Sequence, residues 1–383
     1  MALSTSLHLG VALEGLGTHP RAWRLRPQLA RRAFGARYYL DLIRVAERAG
    51  IDFAYFTDGY ALQSEDDRNF RGRLDAALLA SRLAPVTGGI GLVPEFTVTH
   101  AEPFHISKAV ATLDHTSEGR AGWAPITASS ADPTAEEQNR HFGRRELLDP
   151  QTADAEAGEV ADVVQRLFDS WEDDAEIRDL PTGRFIDRDK LHYVDFDGEF
   201  FSVKGPSITP RPPQGRPPTV FVVRTAAAAS NAGRHADVAV VTAGDLETDR
   251  TLADGVRAAA LEAGRSEPLP VLVGYQVLLA GTADQVKEQR AVLDHGLAQR
   301  PTARGIGFEG TPGALVEELA GIGSAGFAGA LINFEVLPGG LELFADAVVP
   351  QLEERGLFRA GDRDLTLRGR FGLTRPVNRY VRS

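Results

Sequence analysis

Polar side chains that could do chemistry follow several short apolar runs in the first third of the chain. Asp58 comes after one run, and Glu95, Thr97 and His100 come after the next. A carboxylate can take a proton from a substrate, an imidazole can transfer one near neutral pH, and a hydroxyl can hold a polar ligand. This set predicts a polar binding site in which Glu95 and His100 are candidate catalytic residues.

Other candidates follow the later apolar runs. Trp123 lies at the end of one run, Arg224 and Thr225 follow another, and His141 lies in a polar, irregular segment between them. A guanidinium and a hydroxyl can both donate hydrogen bonds to a phosphate group. We therefore predict that Arg224 and Thr225 hold a polar or phosphorylated ligand, and we add His141 to the candidate catalytic residues.

Each of these residues also has a purely structural interpretation. Asp58 can cap a turn, and Glu95 can form an ion pair with one of the many arginines. His100 and His141 can be structural or solvated, and Trp123 at a strand end can belong to the core. The residues alone leave these alternatives open.

The chain alternates short apolar runs with longer segments of 3.6-residue periodicity, which is typical of parallel strands joined by crossover helices. About eight such units favour a (β/α)8 TIM barrel of the α/β class over an open sheet. We predict one domain over residues 1–383, with 173–218 as an insertion outside the barrel. The predicted strands are Leu7–Leu13, Ile51–Thr57, Gly89–Val93, Arg120–Ile126, Thr219–Val223, Val238–Thr242, Val271–Leu279 and Phe327–Ile332.

The composition excludes several classes of protein. A net charge of −11 disfavours general nucleic-acid binding, because an acidic surface repels phosphate backbones. Cysteine is absent, which excludes disulfides and cysteine nucleophiles, and no HExxH, P-loop or G-x-S-x-G motif occurs. No apolar run approaches the length of about 18 residues that a membrane span needs. We therefore expect a soluble cytoplasmic protein without a metal site.

Several ordered motifs make the chain resemble a known family. The segment ATLDHTSEGRAGW at 111–123 is similar to a signature of bacterial-luciferase-like flavin-dependent monooxygenases. The resemblance is greatest to their nitrilotriacetate, pristinamycin-synthase and dibenzothiophene-sulfone monooxygenase branch. Further segments similar to that branch lie at 22–24, 168–175, 191–195, 205–215, 310–312 and 349–356.

The resemblance implies a (β/α)8 barrel that uses reduced FMN and O2 to insert one oxygen atom into a small organic metabolite via a flavin peroxide. It also implies a separate NAD(P)H:flavin reductase that supplies the reduced flavin, and a homodimer. In such enzymes the cofactor performs the difficult step, and the protein binds, orients and shields it from water.

The resemblance also assigns contacts to the flavin. Asp58 matches the family's flavin-contacting aspartate, Thr97 stands at its serine, and Trp123 is the signature tryptophan. Two positions depart from the pattern, because Glu95 stands where the branch has a threonine and Ala124 where it has an asparagine.

The phosphate end of the cofactor site departs further. The family's phosphate loop corresponds to a segment that contains Arg224, Thr225 and Ala226, which are therefore assigned to cofactor binding. The family's His-x3-Tyr pair falls on Pro150 and Asp154. An anionic Asp154 beside a phosphate is unfavourable unless it is paired, and Arg224 is a donor that could compensate.

These departures leave two alternatives to the monooxygenase. One is an oxidoreductase of the same superfamily that uses a deazaflavin, transfers hydride and consumes no O2. The other is a barrel that has lost tight flavin binding and acts without flavin or only binds a ligand. The arginine-rich tail at Gly361–Ser383 is expected to pack along a surface or a subunit partner.

Overall fold

The computed structural model describes residues 6–130, 134–142, 146–297, 299–360 and 365–381. Its centre is a barrel of eight parallel strands. In chain order these strands are β1 (His8–Ala12), β2 (Phe53–Phe56), β3 (Gly91–Thr97), β4 (Ala124–Ile126), β5 (Val220–Val223), β6 (Val238–Val241), β7 (Val271–Leu279) and β8 (Gly329–Phe334).

The strands are hydrogen-bonded in the order β4-β3-β2-β1-β8-β7-β6-β5. The first strand is central, because Gly10 pairs with Phe53 of β2 on one side and with Leu331 of β8 on the other. A parallel bridge between Trp123 and Thr219 joins the two ends of the order and closes the sheet. The predicted (β/α)8 barrel is therefore confirmed.

Helices cover the outside of the barrel. Six of the described α-helices begin at an aspartate or threonine whose side chain accepts a hydrogen bond from the first helical turn, at Asp75, Asp149, Thr225, Asp245, Thr282 and Thr366. The α-helices are Pro27–Ala30, Ala36–Arg48, Ala76–Leu83, Pro103–Thr116, Ala135–Phe142, Pro150–Asp169, Ala226–His235, Leu246–Glu262, Ala283–Asp294, Pro312–Ile322, Gly339–Leu343, Val349–Glu354 and Leu367–Arg370. Shorter helical turns lie at Ala22–Arg24, Ala84–Val86, Arg188–Lys190 and Phe344–Val348.

Additional strands lie outside the eight-stranded order. Ile306–Gly310, which the sequence analysis does not predict as a strand, pairs in parallel with the last five residues of β7. Within 173–218, Glu176–Asp179 pairs with Arg184–Ile186, and Phe196–Asp197 pairs with Ser202–Val203. Both of these antiparallel pairs form sheets separate from that of the barrel.

Side chains on the barrel strands alternate between two environments. One set fills the barrel: Ala12, Phe53, Tyr55, Val93, Ala124, Val220, Val238, Val240, Leu272 and Leu331. Their neighbours in sequence, such as Val11, Ala54, Leu92 and Phe221, pack in the layer between strands and helices. This is the alternation that the pleat of a β-strand requires, and it decides which residues can reach the barrel interior.

The C-terminal segment forms the floor of the barrel. Leu367, Phe371 and Leu373 belong to the same buried cluster as the inward-facing strand residues. Two glycines make room for them, since a Cβ on Gly91 or Gly122 would lie 2.5 or 3.0 Å from the Leu367 side chain. The tail thus inserts its apolar side chains into the N-terminal end of the barrel. The sequence analysis predicts instead that it packs along a surface or a subunit partner.

The described residues contain no helix long and apolar enough to cross a membrane. They also contain no group of three or more His, Cys, Asp or Glu side chains arranged to hold a metal ion.

A buried carboxylate lies just before β2. Asp52 is 4% exposed, its Oδ2 accepts a hydrogen bond from the Leu9 N–H at 2.8 Å, and His8 Nδ1 lies 3.9 Å away. Burial raises the pKa of Asp52 to about 7 and lowers the pKa of His8 to about 4. The folded protein therefore disfavours the ionised form of Asp52 that the unfolded chain adopts at neutral pH.

We predict that Asp52→Asn becomes progressively more stable than the wild type as the pH rises from about 4 to about 7. In this window the folded wild type retains a proton that the unfolded chain has released, so its stability falls by up to about 1.4 kcal/mol per pH unit. Asparagine can still accept the Leu9 hydrogen bond without ionising. His8 is present in both proteins, so its own contribution cancels to first order.

Urea unfolding at several pH values measures this difference in stability. The same substitution at the exposed Asp67 controls for the removal of one negative charge. A stability difference at Asp52 that is constant from about pH 4 to about pH 7 would contradict the prediction.

Candidate functional site

Polar side chains gather at the C-terminal ends of β2 and β3, where a barrel of this class carries its active site. Tyr55 and Thr57 continue the inward-facing side of β2, and Glu95 and Thr97 continue that of β3, in alternation with the inward-facing Val93. The barrel interior toward the N-terminal ends of the strands is apolar. These residues therefore form a polar layer at the C-terminal side of an apolar one.

Glu95 is held by two hydrogen bonds. Its Oε1 accepts from the Tyr55 hydroxyl at 2.8 Å, and its Oε2 accepts from the Asp58 N–H at 2.6 Å. Burial raises the pKa of Glu95, while the two hydrogen bonds and the charge of Arg304 act in the opposite direction. Glu95 therefore faces the barrel as a partly desolvated carboxyl group at the predicted place.

Asp58 serves mainly to shape the turn after β2. Its Oδ1 accepts from the Gly59 N–H at 2.7 Å, and its Oδ2 accepts from the Ala76 N–H at 3.1 Å, at the start of the next helix. Burial raises the pKa of Asp58. Asp58 and Glu95 are joined through the backbone N–H of Asp58, and Glu14 is the carboxylate whose charge raises the pKa of Glu95.

Two arginines complete this part of the site. Arg304 Nη1 donates to Glu14 Oε2 at 2.5 Å, and Arg73 Nη2 lies 3.6 Å from Glu14 Oε1. The backbone of Arg304 is fixed as well, because its N–H donates to Gln276 and its carbonyl oxygen accepts from the Asn333 amide. The ion pairs place two guanidinium groups near the inward-facing carboxylates.

The two candidate histidines lie to one side of Glu95. The His100 ring stacks on Phe142 with centroids 4.4 Å apart, and Tyr60 meets it edge-on at 6.1 Å. His141 is exposed on the helix Ala135–Phe142. The structure thus places His100 in an aromatic cluster and leaves His141 exposed on its helix, and a catalytic role for either histidine stays a prediction.

Trp123 belongs to the layer between strands and helices. Its side chain is fully buried there and meets Phe96 edge-on with centroids 6.3 Å apart. The next residue, Ala124, is the one that faces the barrel interior. A cofactor inside the barrel would therefore meet Ala124 rather than the indole that the resemblance assigns to it.

The polar residues of the signature segment 111–123 connect structural elements. Asp114 accepts hydrogen bonds from the Gln214 backbone and side chain and from the Ala121 N–H, and burial raises its pKa to about 6. Arg120 donates to the carbonyl oxygens of Ala84 and Ile90. The segment positions β4 and its neighbours, so its role in this chain is architectural.

The predicted phosphate-contacting residues lie at the C-terminal end of β5. Arg224, Thr225 and Ala226 are all exposed. The Thr225 hydroxyl accepts from the Ala228 N–H at 3.1 Å and thereby caps the helix Ala226–His235. The positive charge of Arg224 opposes the burial that raises the pKa of Tyr55.

Several residues of this site are not singled out by the sequence analysis. Tyr55 has the pattern of a core aromatic residue, and Thr242 directly follows the apolar strand β6. Glu14 is the first charged residue after β1, which is a usable signal for a barrel. Arg304 lies two residues before Ile306–Gly310, a strand that the sequence analysis does not predict, so the sequence offers no signal for it.

Comparisons with known proteins agree with this architecture. Residues 16–334 match the model of the family described as luciferase-like monooxygenase. The chain is 31% identical to N-acetyl-S-(2-succino)cysteine monooxygenase of Bacillus subtilis (strain 168), over 98% of both chains. It is 29% identical to nitrilotriacetate monooxygenase component A of Aminobacter aminovorans, over 99% of both chains.

A solved structure shows the same fold. EDTA monooxygenase from Chelativorans sp. BNC1 superposes with a TM-score of 0.85 at 23% identity, covering 97% of this chain and 99% of that chain. The family match extends over most of the chain and includes seven complete strands of the barrel. On this evidence, the chain is a member of the luciferase-like monooxygenase family.

Proposed function

We propose that this protein is a monooxygenase that uses a reduced flavin and O2 to oxygenate a small organic molecule. The family is one of monooxygenases. The observation that carries the proposal for this chain is a set of inward-facing polar groups, some without partners, above the apolar barrel interior. Reduced FMN is the flavin that the family resemblance predicts.

The ring end of a flavin fits these residues. Thr97 and Thr242 are 3% and 6% exposed, and neither hydroxyl has a hydrogen-bond partner among the described residues. A buried hydroxyl left unpaired costs about 1–3 kcal/mol. Both threonines continue the inward-facing sides of their strands, so a polar ring system in the barrel would supply the missing partners.

The chain's own residues have three tasks in this proposal. The apolar layer below the site, which includes Val93 and Val240, excludes water from below. Thr97 and Thr242 orient the ring, and Glu95 exchanges a proton with the substrate at its carboxylate oxygens. A bound reduced flavin supplies the electrons that activate O2 for oxygen transfer.

The remaining parts of the proposal concern partners and organisation. Nitrilotriacetate monooxygenase component A is named as one component of a larger system, which supports a separate NAD(P)H:flavin reductase as the source of reduced flavin. We further propose a cytoplasmic homodimer, and one functional domain over residues 1–383 with 173–218 outside the barrel. The self-contained strand pairs within 173–218 support that boundary.

Titration of the purified protein with FMN, oxidised and anaerobically photoreduced, tests the use of flavin. We expect saturable binding that is tighter for the reduced form, followed by formation of an oxygenated product when air is admitted with a substrate. Binding without an oxygenated product, and with only the H2O2 that free reduced flavin also gives in air, would favour hydride transfer with a deazaflavin. No binding of either form of FMN at high micromolar concentration would exclude FMN as the cofactor. If riboflavin also fails to bind, the use of flavin is overturned and a barrel that acts without flavin is favoured.

We predict that Thr97→Val weakens flavin binding and stabilises the flavin-free protein. The loss of one hydrogen bond should raise the Kd about threefold to tenfold. Removal of an unpaired buried hydroxyl should raise the melting temperature of the protein without ligand. Fluorescence titration and thermal unfolding measure the two effects.

Thr219→Val is the matched control for Thr97→Val. Thr219 also carries a buried hydroxyl without a partner among the described residues, but it precedes β5 at the opposite end of the barrel. We expect it to raise the melting temperature and to leave the Kd unchanged. Equal effects of the two variants on flavin binding would show that Thr97 does not contact the ring.

We predict that Glu95→Gln lowers turnover at least about tenfold and changes the melting temperature little, because the side chain keeps its shape but cannot accept a proton. In the wild type, activity should decline as the pH falls toward the raised pKa of Glu95. Tyr55→Phe removes a hydrogen bond that stabilises the carboxylate, so it should move that decline to higher pH. The pH profile of kcat/KM measures both effects, and normal turnover with a lowered melting temperature would leave Glu95 as a structural anchor only.

A further inference from the structure

The N-terminus of the helix Ala226–His235 is where the family resemblance places the phosphate of the flavin. The Thr225 hydroxyl accepts a hydrogen bond from the Ala228 N–H, so its own proton is the one it can offer to a ligand. That proton points to Asp154, whose Oδ2 lies 3.5 Å from Thr225 Oγ1. The Asp154 carboxylate therefore already accepts the hydrogen bond of the Thr225 hydroxyl that a phosphate would need.

The backbone of Asp154 is held in place by the packing of two helices. Its carbonyl oxygen accepts from the Asn231 side chain at 2.6 Å, which ties the helix Pro150–Asp169 to the helix Ala226–His235. Gly158, one turn further on, lies so close to Asn231 that a Cβ there would be 2.3 Å from its Oδ1. The backbone of Asp154 therefore cannot move away from Thr225 without separating these helices, which keeps its carboxylate within reach of the Thr225 hydroxyl.

Among the described residues, no positively charged side chain compensates the negative charge of the Asp154 carboxylate. Its side chain forms no ion pair there, and burial raises its pKa with only the Thr225 hydroxyl acting in the opposite direction. Arg224, the adjacent candidate, is not among the charges that act on the Asp154 carboxyl group. The negative charge is thus uncompensated where the resemblance predicts a dianionic phosphate.

We propose that Asp154 makes this site select against a terminal phosphate, so that the flavin it accepts ends in a ribityl hydroxyl, as riboflavin does. A hydroxyl can donate to the Asp154 carboxylate, whereas a phosphate dianion can only repel it. This inference rests on the proposed use of flavin. It names which chemical form of flavin the same site takes.

Binding of FMN and of riboflavin to the full-length wild type and to Asp154→Asn tests the inference. Both flavins are titrated by fluorescence, in oxidised and anaerobically photoreduced form. The wild type should bind riboflavin at least as tightly as FMN. Asp154→Asn should lower the Kd for FMN at least about tenfold, and should change that for riboflavin less than about threefold because riboflavin has no phosphate.

Asp245→Asn is the matched control. Asp245 caps the helix Leu246–Glu262, which follows the neighbouring strand β6, and asparagine caps a helix about as well as aspartate does. It should leave the ratio of the two Kd values unchanged. Asp154→Ser, which removes the charge and keeps a small polar side chain, should reproduce the effect of Asp154→Asn on FMN.

The outcomes separate this inference from the proposed function. Tighter binding of FMN than of riboflavin by the wild type, with no gain in FMN affinity in either Asp154 variant, would overturn the inference while flavin use stands. Absence of binding of both flavins to the wild type and both variants would overturn the proposed function and the inference together.

Discussion

The alternation of side chains along the barrel strands is the constraint on which the rest of the structure depends. Because a β-strand is pleated, each strand contributes only every second residue to the barrel interior. An eight-stranded barrel is just wide enough for these inward-facing side chains to fill it. On β3 this rule directs Val93, Glu95 and Thr97 inward. On β4 it directs Ala124 inward and sends Trp123 to the helices. The strand residues that can reach a ligand inside the barrel are therefore those of one parity at one end of it.

Much of the fold could be predicted from the sequence, because the hydrophobic pattern of a strand or helix is set by residues close together in the chain. Eight short apolar runs alternate regularly with segments of helical periodicity. Glu95 and Thr97 could be located as the first polar residues after an apolar run. The inward position of Ala124 could not, since the motif does not reveal the parity of a strand only three residues long. The contact of Arg304 with Glu14 joins residues almost 300 positions apart, and no local pattern encodes such a pairing.

The polar residues of the motif that carries the family resemblance hold structural elements together. Asp114 accepts a hydrogen bond from the Gln214 N–H. Arg120 donates to the carbonyl oxygens of Ala84 and Ile90. Both residues thereby hold β4 in place. Glu95 and Asp154 lie at positions where the chain departs from the family pattern, and both face the groups that would meet ligands. Architecture and ligand recognition can thus change separately, which explains how a clear family match coexists with an altered site.

The position of β1 between β2 and β8 determines when this barrel can be completed during synthesis. His8 pairs with Gly329, and Leu367 seals the floor from still further along the chain. At about 5–20 residues per second, a ribosome needs on the order of tens of seconds to make the intervening segment. During that time one edge of β1 has no partner strand and Phe53 lacks its floor. The nascent chain therefore exposes a strand edge and apolar core side chains until the residues near Leu367 have been made.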